Sequence, residues 1–221
     1  MRASIHNMLS IGGISKIEYA AGSGSAIRPL KHKQFDLVIC EYDLGEGQDG
    51  QQLLEDLRHH KIMPPSTVFI MVTAERNHEK VVSAAELALN DYVLKPFTAE
   101  TLMERIARAI DKRDALSPIY QLIEQGNLSD AINACVQAER TQLRYQAEFM
   151  RLHAELHMTL GELPEAEAIY AEIFAKRSIA WARLGLATSL FMQERLEEAE
   201  EMLSSLVAEK KQFLEAVSYT H

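Results

Sequence analysis

The chain has 221 residues, of which 47% are apolar and 25% charged, a composition typical of a globular protein with one or two domains. No apolar run approaches the roughly 20 residues that a membrane-spanning helix needs, and no secretory signal is visible, so we expect no membrane contact. The formal net charge is −9, and residues 116–221 carry 9 Lys and Arg against 16 Asp and Glu, which argues against a nucleic-acid partner. Two cysteines without a disulfide framework indicate a reducing, cytoplasmic location.

Short apolar runs alternate with helical patterns in the first half of the chain. The runs typical of buried strands are residues 35–41, 68–72 and 92–94, and a weak alternation at residues 14–20 predicts one more strand. Helical spacing of apolar residues predicts helices over residues 2–9, 23–30, 51–59, 77–89 and 99–113. Alternating strands and helices predict an α/β domain with a parallel sheet over residues 1–113.

Polar and charged side chains stand at the ends of the predicted strands. The first apolar run ends in Glu41, and Asp43 follows it in a glycine-rich loop. The second run ends at Thr73, and the third contains Tyr92 and is followed by Lys95. Because ligands of open α/β sheets bind outside the carboxyl ends of the strands, we expect these side chains to form one site.

Three segments, in this order and spacing, resemble the receiver domain of bacterial response regulators: Phe35–Glu41, Val72–Ala74 and Asp91–Phe97. The resemblance covers residues 1–113 and implies a flavodoxin-like, doubly wound parallel sheet. In that family a carboxylate at a strand end takes a phosphoryl group from a histidine kinase, and Mg²⁺ screens the charge. The resemblance therefore implies two-component (phosphorelay) signal transduction, with a histidine kinase as a candidate partner.

The same resemblance implies a role for each residue of the expected site. Thr73 would bind the phosphoryl oxygens, Lys95 would neutralise their charge, and Tyr92 would be the aromatic switch. The phosphoacceptor position falls on Glu41, with Asp43 as the rival. The Glu carboxylate reaches about 1.5 Å further than that of Asp, and in-line attack tolerates little misplacement. We therefore expect Glu41 to accept phosphate poorly or not at all and to act as a standing negative charge.

The first strand of the family, which ends in paired acidic residues that bind Mg²⁺, has no counterpart in this sequence. The chain begins with a predicted helix, and neither Arg2 nor Ala3 can replace a carboxylate ligand. We therefore expect no metal and no other cofactor, since Mg²⁺ would be expected only if the acidic strand were present. A missing central strand would leave buried backbone groups unpaired unless the sheet closes by another pairing. Of these two alternatives we expect a chain shortened at its start.

Helical patterns alone continue after residue 116. Ser117-Pro118 predicts the start of a helix after a linker at residues 114–118. A motif in which a turn residue precedes a Leu and then an Ala begins at Gly126, and it recurs 35 and then 33 residues further on at Gly161 and Glu194.

This period and these small residues resemble tetratricopeptide repeats. The resemblance implies an all-α helical-repeat domain over residues 119–221 that binds protein partners along a groove. Residues 213–219 read as the start of a further helix, so we expect the last repeat to be incomplete. The acidic charge of this half suits a basic or amphipathic peptide.

His153 and His157 are a separate candidate group. They lie four residues apart on one predicted helix, a spacing that could bind a metal ion. No further ligand lies nearby in the sequence, so we expect a polar stripe on a helix and not a metal site.

The leading hypothesis is a signalling protein that is not an enzyme: a degenerate receiver coupled to a helical protein-binding module. The alternative is a phosphorylatable receiver switch that uses Asp43 or Glu41. A third hypothesis is an α/β enzyme that uses the carboxylates as acid and base, but no Gly-rich phosphate loop or Ser/His/Asp set supports it. A fourth hypothesis is a fragment without function.

Overall fold

The computed structural model of the chain describes residues 2–45, 47–64, 66–74, 91–176 and 179–205. Contacts between Cα atoms divide the chain into two units, Met1–Ser117 and Pro118–His221. None of the helices in the described ranges combines the length and the apolar character that crossing a membrane requires. The helices predicted at residues 77–89 and from residue 213 lie outside the described residues.

The first unit alternates helices and strands, as predicted. In chain order its elements are α1 (Arg2–Ile11), α2 (Ser23–His32), β1 (Leu37–Glu41), α3 (Gly50–His59), β2 (Val68–Thr73), β3 (Asp91–Leu94) and α4 (Ala99–Glu124). The strands form a parallel sheet in the order β1-β2-β3. These bounds confirm the strands predicted from the three apolar runs, with ends that shift by one or two residues.

The central strand β2 is buried along its whole length because helices cover both faces of the sheet. The core on one face consists of Cys40, Leu53, Leu54, Leu57, Met63, Phe69 and Met71. The core on the other face consists of Leu9, Val68, Ile70, Val72, Val93, Leu102, Ile106 and Ala109. Successive side chains of a strand point to opposite faces, so a continuous apolar run serves both cores. This two-sided packing confirms the predicted α/β architecture with a parallel sheet.

Residues 14–20 do not form the predicted strand. Ile14 and Ile17 pack against the α1 and α4 side of the sheet, and Glu18 forms an ion pair with Lys33 at 2.6 Å. A strand needs a neighbour that takes up its backbone N–H and C=O groups. Within the described residues, no strand pairs with this segment or with the edge of β1 opposite β2. The prediction was wrong because the alternation reflects partial burial and not strand pairing.

The helix α4 runs without a break through residues 114–118, which the sequence predicts as a linker. The reason is that apolar residues continue at helical spacing, since Leu116 and Ile119 are both buried. Pro118 therefore lies inside a helix instead of starting one. A proline in a helix interior costs about 3 kcal/mol, and burial of a Leu or Ile side chain contributes about 1.5–3 kcal/mol in the opposite direction.

The second unit is helical throughout its described residues. Its elements are α5 (Leu128–Thr141), a 3₁₀ turn (Leu143–Tyr145), α6 (Gln146–Leu160), α7 (Leu163–Lys176), α8 (Ala180–Met192) and a further helical stretch at residues 196–205. Each helix from α5 to α8 packs against the next one along the chain. This unit therefore forms a large all-helical region, as predicted.

Three turns between these helices share one backbone conformation. Gly126, Gly161 and Glu194 have φ angles of 77°, 76° and 63°, in the left-handed region that favours glycine. The alanine five residues after each turn is buried in every case: Ala131, Ala166 and Ala199. Each of the three occurrences of the sequence motif therefore combines a left-handed turn residue with a buried alanine.

Candidate functional site

Three of the predicted site residues meet at the carboxyl edge of the sheet. Glu41 ends β1, Thr73 ends β2, and Lys95 directly follows β3. Lys95 Nζ lies 3.0 Å from Glu41 Oε2, although the two residues are 54 positions apart in the sequence. The backbone N–H of Lys95 donates to the carbonyl of Thr73 at 2.8 Å, and the Lys95–Pro96 peptide is cis. Backbone pairing therefore fixes Lys95 beside Thr73, and its side chain turns toward β1.

The ion pair between Glu41 and Lys95 is partly shielded from solvent. The side chains are 34% and 24% exposed, so part of the charge on each is desolvated. Opposite charges in contact compensate each other more strongly in such a place than in bulk water. The ammonium at the edge of the sheet is therefore already neutralised by a carboxylate of the same chain.

Asp43, the rival phosphoacceptor, is engaged in the loop. Its side chain is exposed, and its Oδ1 accepts the backbone N–H of Gly45 at 2.9 Å, the geometry of a turn closed by an Asp side chain. Gly45 and Gly47 have φ angles of 87° and 101°, which few other residues adopt. No ion pair joins Asp43 to Lys95, both of which lie in the described residues.

Thr73 and Tyr92 lie on the neighbouring strands β2 and β3. Thr73 is 5% exposed, and Tyr92 lies opposite Met71 in the parallel pairing. The Tyr92 side chain is half-buried and packs against the core on the α3 side of the sheet. The aromatic ring at the predicted switch position is therefore directed into the protein in this structure.

Gly50 positions Glu41, a role that the sequence alone did not indicate. The Gly50 N–H donates to the carbonyl of Tyr42 at 2.8 Å, and a Cβ atom at Gly50 would lie only 2.3 Å from the carbonyl oxygen of Glu41. The neighbouring Asp49 caps α3, since its Oδ1 accepts the N–H of Gln52 at 2.8 Å. A glycine directly after a capping Asp was the available signal for this close approach.

Cys40 lies directly before Glu41 and is buried. Burial raises the pKa of its thiol to about 12, and the negative charges of Glu41 and Asp49 add to the effect. The thiol donates to the backbone carbonyl of Glu41 at 3.2 Å. A protonated, buried thiol is a poor nucleophile, so Cys40 supports the packing of the site and not its chemistry.

The oxygen donors at this edge do not fit Mg²⁺. This ion needs an octahedral set of oxygen ligands that includes one or two available carboxylates. The Glu41 carboxylate is held by Lys95, and the Asp43 carboxylate by the backbone of its loop. The described residues also contain no group of three or more His, Cys, Asp and Glu side chains placed to hold a metal ion. The site therefore presents an ion pair beside a threonine.

Comparison with known proteins decides the family. The family of the response regulator receiver domain matches residues 1–107. Over 112 residues, the chain is 31% identical to the chemotaxis protein CheY-3 of Vibrio cholerae, a stretch that covers 51% of this chain and 85% of that protein. The chain belongs to the response regulator receiver family. The chemotaxis protein CheY of Pseudomonas aeruginosa is also 31% identical over 112 residues, which cover 51% of this chain and 89% of that protein.

A solved structure of a CheY-like receiver domain protein from Methanospirillum hungatei is 27% identical to this chain, with a TM-score of 0.44. The likeness covers 51% of this chain and 86% of that one. The receiver resemblance predicted from the strand-end motifs is confirmed for residues 1–107, and it places this part of the chain in two-component signalling. Receiver domains interact with histidine kinases and other proteins. The family match ends before the second unit, so the resemblance to tetratricopeptide repeats stays a prediction.

Proposed function

We propose that this protein is a degenerate receiver whose output does not depend on phosphorylation, coupled to a helical module that binds protein partners in the cytoplasm. In this proposal the protein has no enzymatic activity. The observation that carries it is the 3.0 Å contact between Glu41 and Lys95. The family resemblance implies that this ammonium binds the phosphoryl group in a phosphorylatable receiver, whereas in this structure it contacts the carboxylate of Glu41.

The alternative, a switch that is phosphorylated on Glu41 or Asp43, receives less support from the geometry. The Glu41 carboxylate is engaged in an ion pair, and its longer side chain alters the position from which it would attack. The Asp43 carboxylate accepts a hydrogen bond from Gly45. Neither carboxylate belongs to a donor set that suits Mg²⁺, the ion that screens phosphate charge in such transfers.

We infer that the second unit is a tetratricopeptide-like module. The shared turn conformation at Gly126, Gly161 and Glu194, each followed by a buried alanine, supports this assignment. The excess of acidic residues in this half supports a basic or amphipathic peptide as its partner. A histidine kinase remains the candidate partner of the receiver surface around Tyr92.

Exposure to acetyl phosphate and Mg²⁺, followed by intact-mass measurement, tests the receiver proposal. We expect no mass increase of one phosphoryl group in the native chain, while a receiver with an Asp phosphoacceptor, treated in parallel, gains it. A phosphorylated species of the native chain would contradict the proposal. The variant Asp43→Asn then identifies the acceptor, because loss of the added mass assigns it to Asp43 and its persistence points to Glu41.

A further inference from the structure

Two histidines of α6 face each other across one helical turn. The Nε2 atoms of His153 and His157 lie 3.0 Å apart, with ring centroids separated by 4.8 Å. His153 Nδ1 lies 2.9 Å from Glu139 Oε1, and His157 Nδ1 lies 2.6 Å from Glu162 Oε2. The four side chains therefore form one continuous row that links α5, α6 and the turn before α7.

The two carboxylates determine which nitrogen of each ring carries a hydrogen. An ionised carboxylate can only accept, so the Nδ1 atoms of His153 and His157 donate. In a neutral imidazole with its hydrogen on Nδ1, the Nε2 atom is a bare acceptor. Two bare acceptors at 3.0 Å repel each other unless a hydrogen or a cation lies between them. The two Nε2 atoms thus lie close enough for a bound hydrogen or cation to bridge them.

We propose that His153 and His157 bind Zn²⁺ through their Nε2 atoms. Neutral imidazole is a preferred ligand of this ion. Zn–N bonds of about 2.0–2.1 Å place two nitrogens of a tetrahedral site about 3.3 Å apart, close to the spacing already present. Hydrogen bonds from Nδ1 to carboxylates are the outer contacts that orient metal-binding histidines and raise their basicity.

The sequence predicts only a polar stripe at this place because the orienting groups are scattered along the chain. Glu139 lies 14 residues before His153, on α5, and Glu162 lies five residues after His157. Helix packing brings the first of these carboxylates to its ring, and the left-handed turn at Gly161 precedes the second. The structure therefore turns an isolated histidine pair into a pair with both outer contacts in place.

Two nitrogens form half of a tetrahedral coordination sphere. In the proposed site water would supply the other ligands, since the described residues include no cluster of three or more potential protein ligands. Both histidine side chains are 13% exposed, which leaves solvent access to the pair. Such a site is weaker than a four-ligand structural zinc site. Bound Zn²⁺ would hold the row together and stiffen the packing of α5 against α6.

The experiment uses the full chain with Zn²⁺ alone as the ligand. Nitrogen NMR of the histidine side chains should show Nδ1–H tautomers for His153 and His157 before addition, and Zn²⁺ should then shift their Nε2 resonances selectively. Isothermal titration should show binding that is at least about tenfold weaker in His157→Gln. The matched control His32→Gln removes an exposed histidine of the first unit and should bind Zn²⁺ like the native chain.

A second variant separates an oriented site from incidental histidine binding. Glu139→Gln keeps both Nε2 ligands but removes one orienting charge, and we expect about tenfold weaker binding. Equal Zn²⁺ affinity of His157→Gln and the native chain would overturn the proposal. Nε2–H tautomers for both rings in the metal-free native chain would overturn it as well, and this measurement does not depend on the folding of any variant.

Discussion

The length of the Glu41 side chain affects the geometry of the ion pair at the sheet edge. The carboxylate of Glu41 reaches Lys95 Nζ at 3.0 Å, and an Asp at this position would withdraw its carboxylate by about 1.5 Å. Because Lys95 carries its ammonium on a flexible stem, the pair would persist only if that side chain follows the withdrawn carboxylate. The extra methylene of Glu41 therefore sets where the two charges meet.

A double-mutant cycle measures this contact. Glu41→Gln, Lys95→Gln and the double variant should give a coupling free energy of about 0.5–1 kcal/mol in urea unfolding, because the pair is only partly buried. The control cycle pairs Asp43→Asn with Lys95→Gln and should give a coupling near zero, since the structure brings no ion pair to Asp43. A larger coupling free energy between Lys95 and Asp43 than between Lys95 and Glu41 would contradict the ion pair with Glu41.

Gly50 gives a second prediction at this scale. The variant Gly50→Ala places a Cβ atom 2.3 Å from the carbonyl oxygen of Glu41, a backbone atom that can move only with β1. We expect a loss of about 1–3 kcal/mol in the free energy of unfolding. The matched control is Gly24→Ala in α2, where no atom lies within 4 Å of the added methyl group and alanine favours the helix. Equal stability of the two variants would contradict the close approach at Gly50.

At the scale of helices and strands, the three strands were predicted correctly because their apolar sequences follow directly from burial in the sheet. The apolar runs that became β1, β2 and β3 are strands because helices cover the sheet, and a buried run needs no alternation. The strand predicted at residues 14–20 does not form. Whether an extended segment becomes a strand depends on a pairing neighbour, which can lie far away in the sequence. The prediction that a helix starts at Pro118 failed for the converse reason. Buried residues before and after Pro118 continue the helix, so packing overrides the local preference of proline for a helix start.

Some features of the candidate site could likewise be predicted from the local sequence, and others could not. Register within one strand placed Glu41 at its carboxyl end, and the sheet then placed Thr73 and Lys95 beside it. The ion pair itself depends on side-chain reach between β1 and the segment after β3, which no local pattern encodes. The approach of Gly50 to the Glu41 carbonyl depends on how the loop closes, so the glycine after Asp49 indicates the place of a close contact but not its partner.

The turns of the helical unit give a prediction at the scale of elements. Glu194 has a φ angle of 63°, where Gly126 and Gly161 stand at the equivalent positions of the other two turns. A left-handed conformation costs a residue with a Cβ atom about 1 kcal/mol relative to glycine. We therefore expect Glu194→Gly to raise the free energy of unfolding by about 1 kcal/mol and Gly161→Ala to lower it by a similar amount. Destabilisation by Glu194→Gly would mean that its turn differs from the other two.

At the scale of the whole chain, each of the two units has its own apolar core and holds one buried cysteine. Cys40 belongs to the core on the α3 side of the sheet, and Cys135 lies on α5. Burial raises the pKa of both thiols from the ordinary value of 9.0 to about 12. The folded state thus disfavours the thiolate. The contribution of these two thiols to the free energy of unfolding is therefore constant well below pH 9 and falls as the pH rises from 9 toward 12.

Alkylation of these two thiols in increasing urea should distinguish the stabilities of the two units. At mildly alkaline pH the folded protein keeps both thiols protonated, so iodoacetamide reacts only after the surrounding structure opens. In the described residues β1 pairs with a strand on one side only, whereas Cys135 is fully buried in the helical unit. An edge strand gains fewer backbone hydrogen bonds than a central one, so we expect Cys40 to react at lower urea than Cys135.

Peptide mass spectrometry measures the alkylation of each cysteine separately, and the variants Cys40→Ser and Cys135→Ser verify the assignment. Simultaneous modification would mean that the units unfold as one, and earlier reaction of Cys135 would mean that the helical unit is the weaker one.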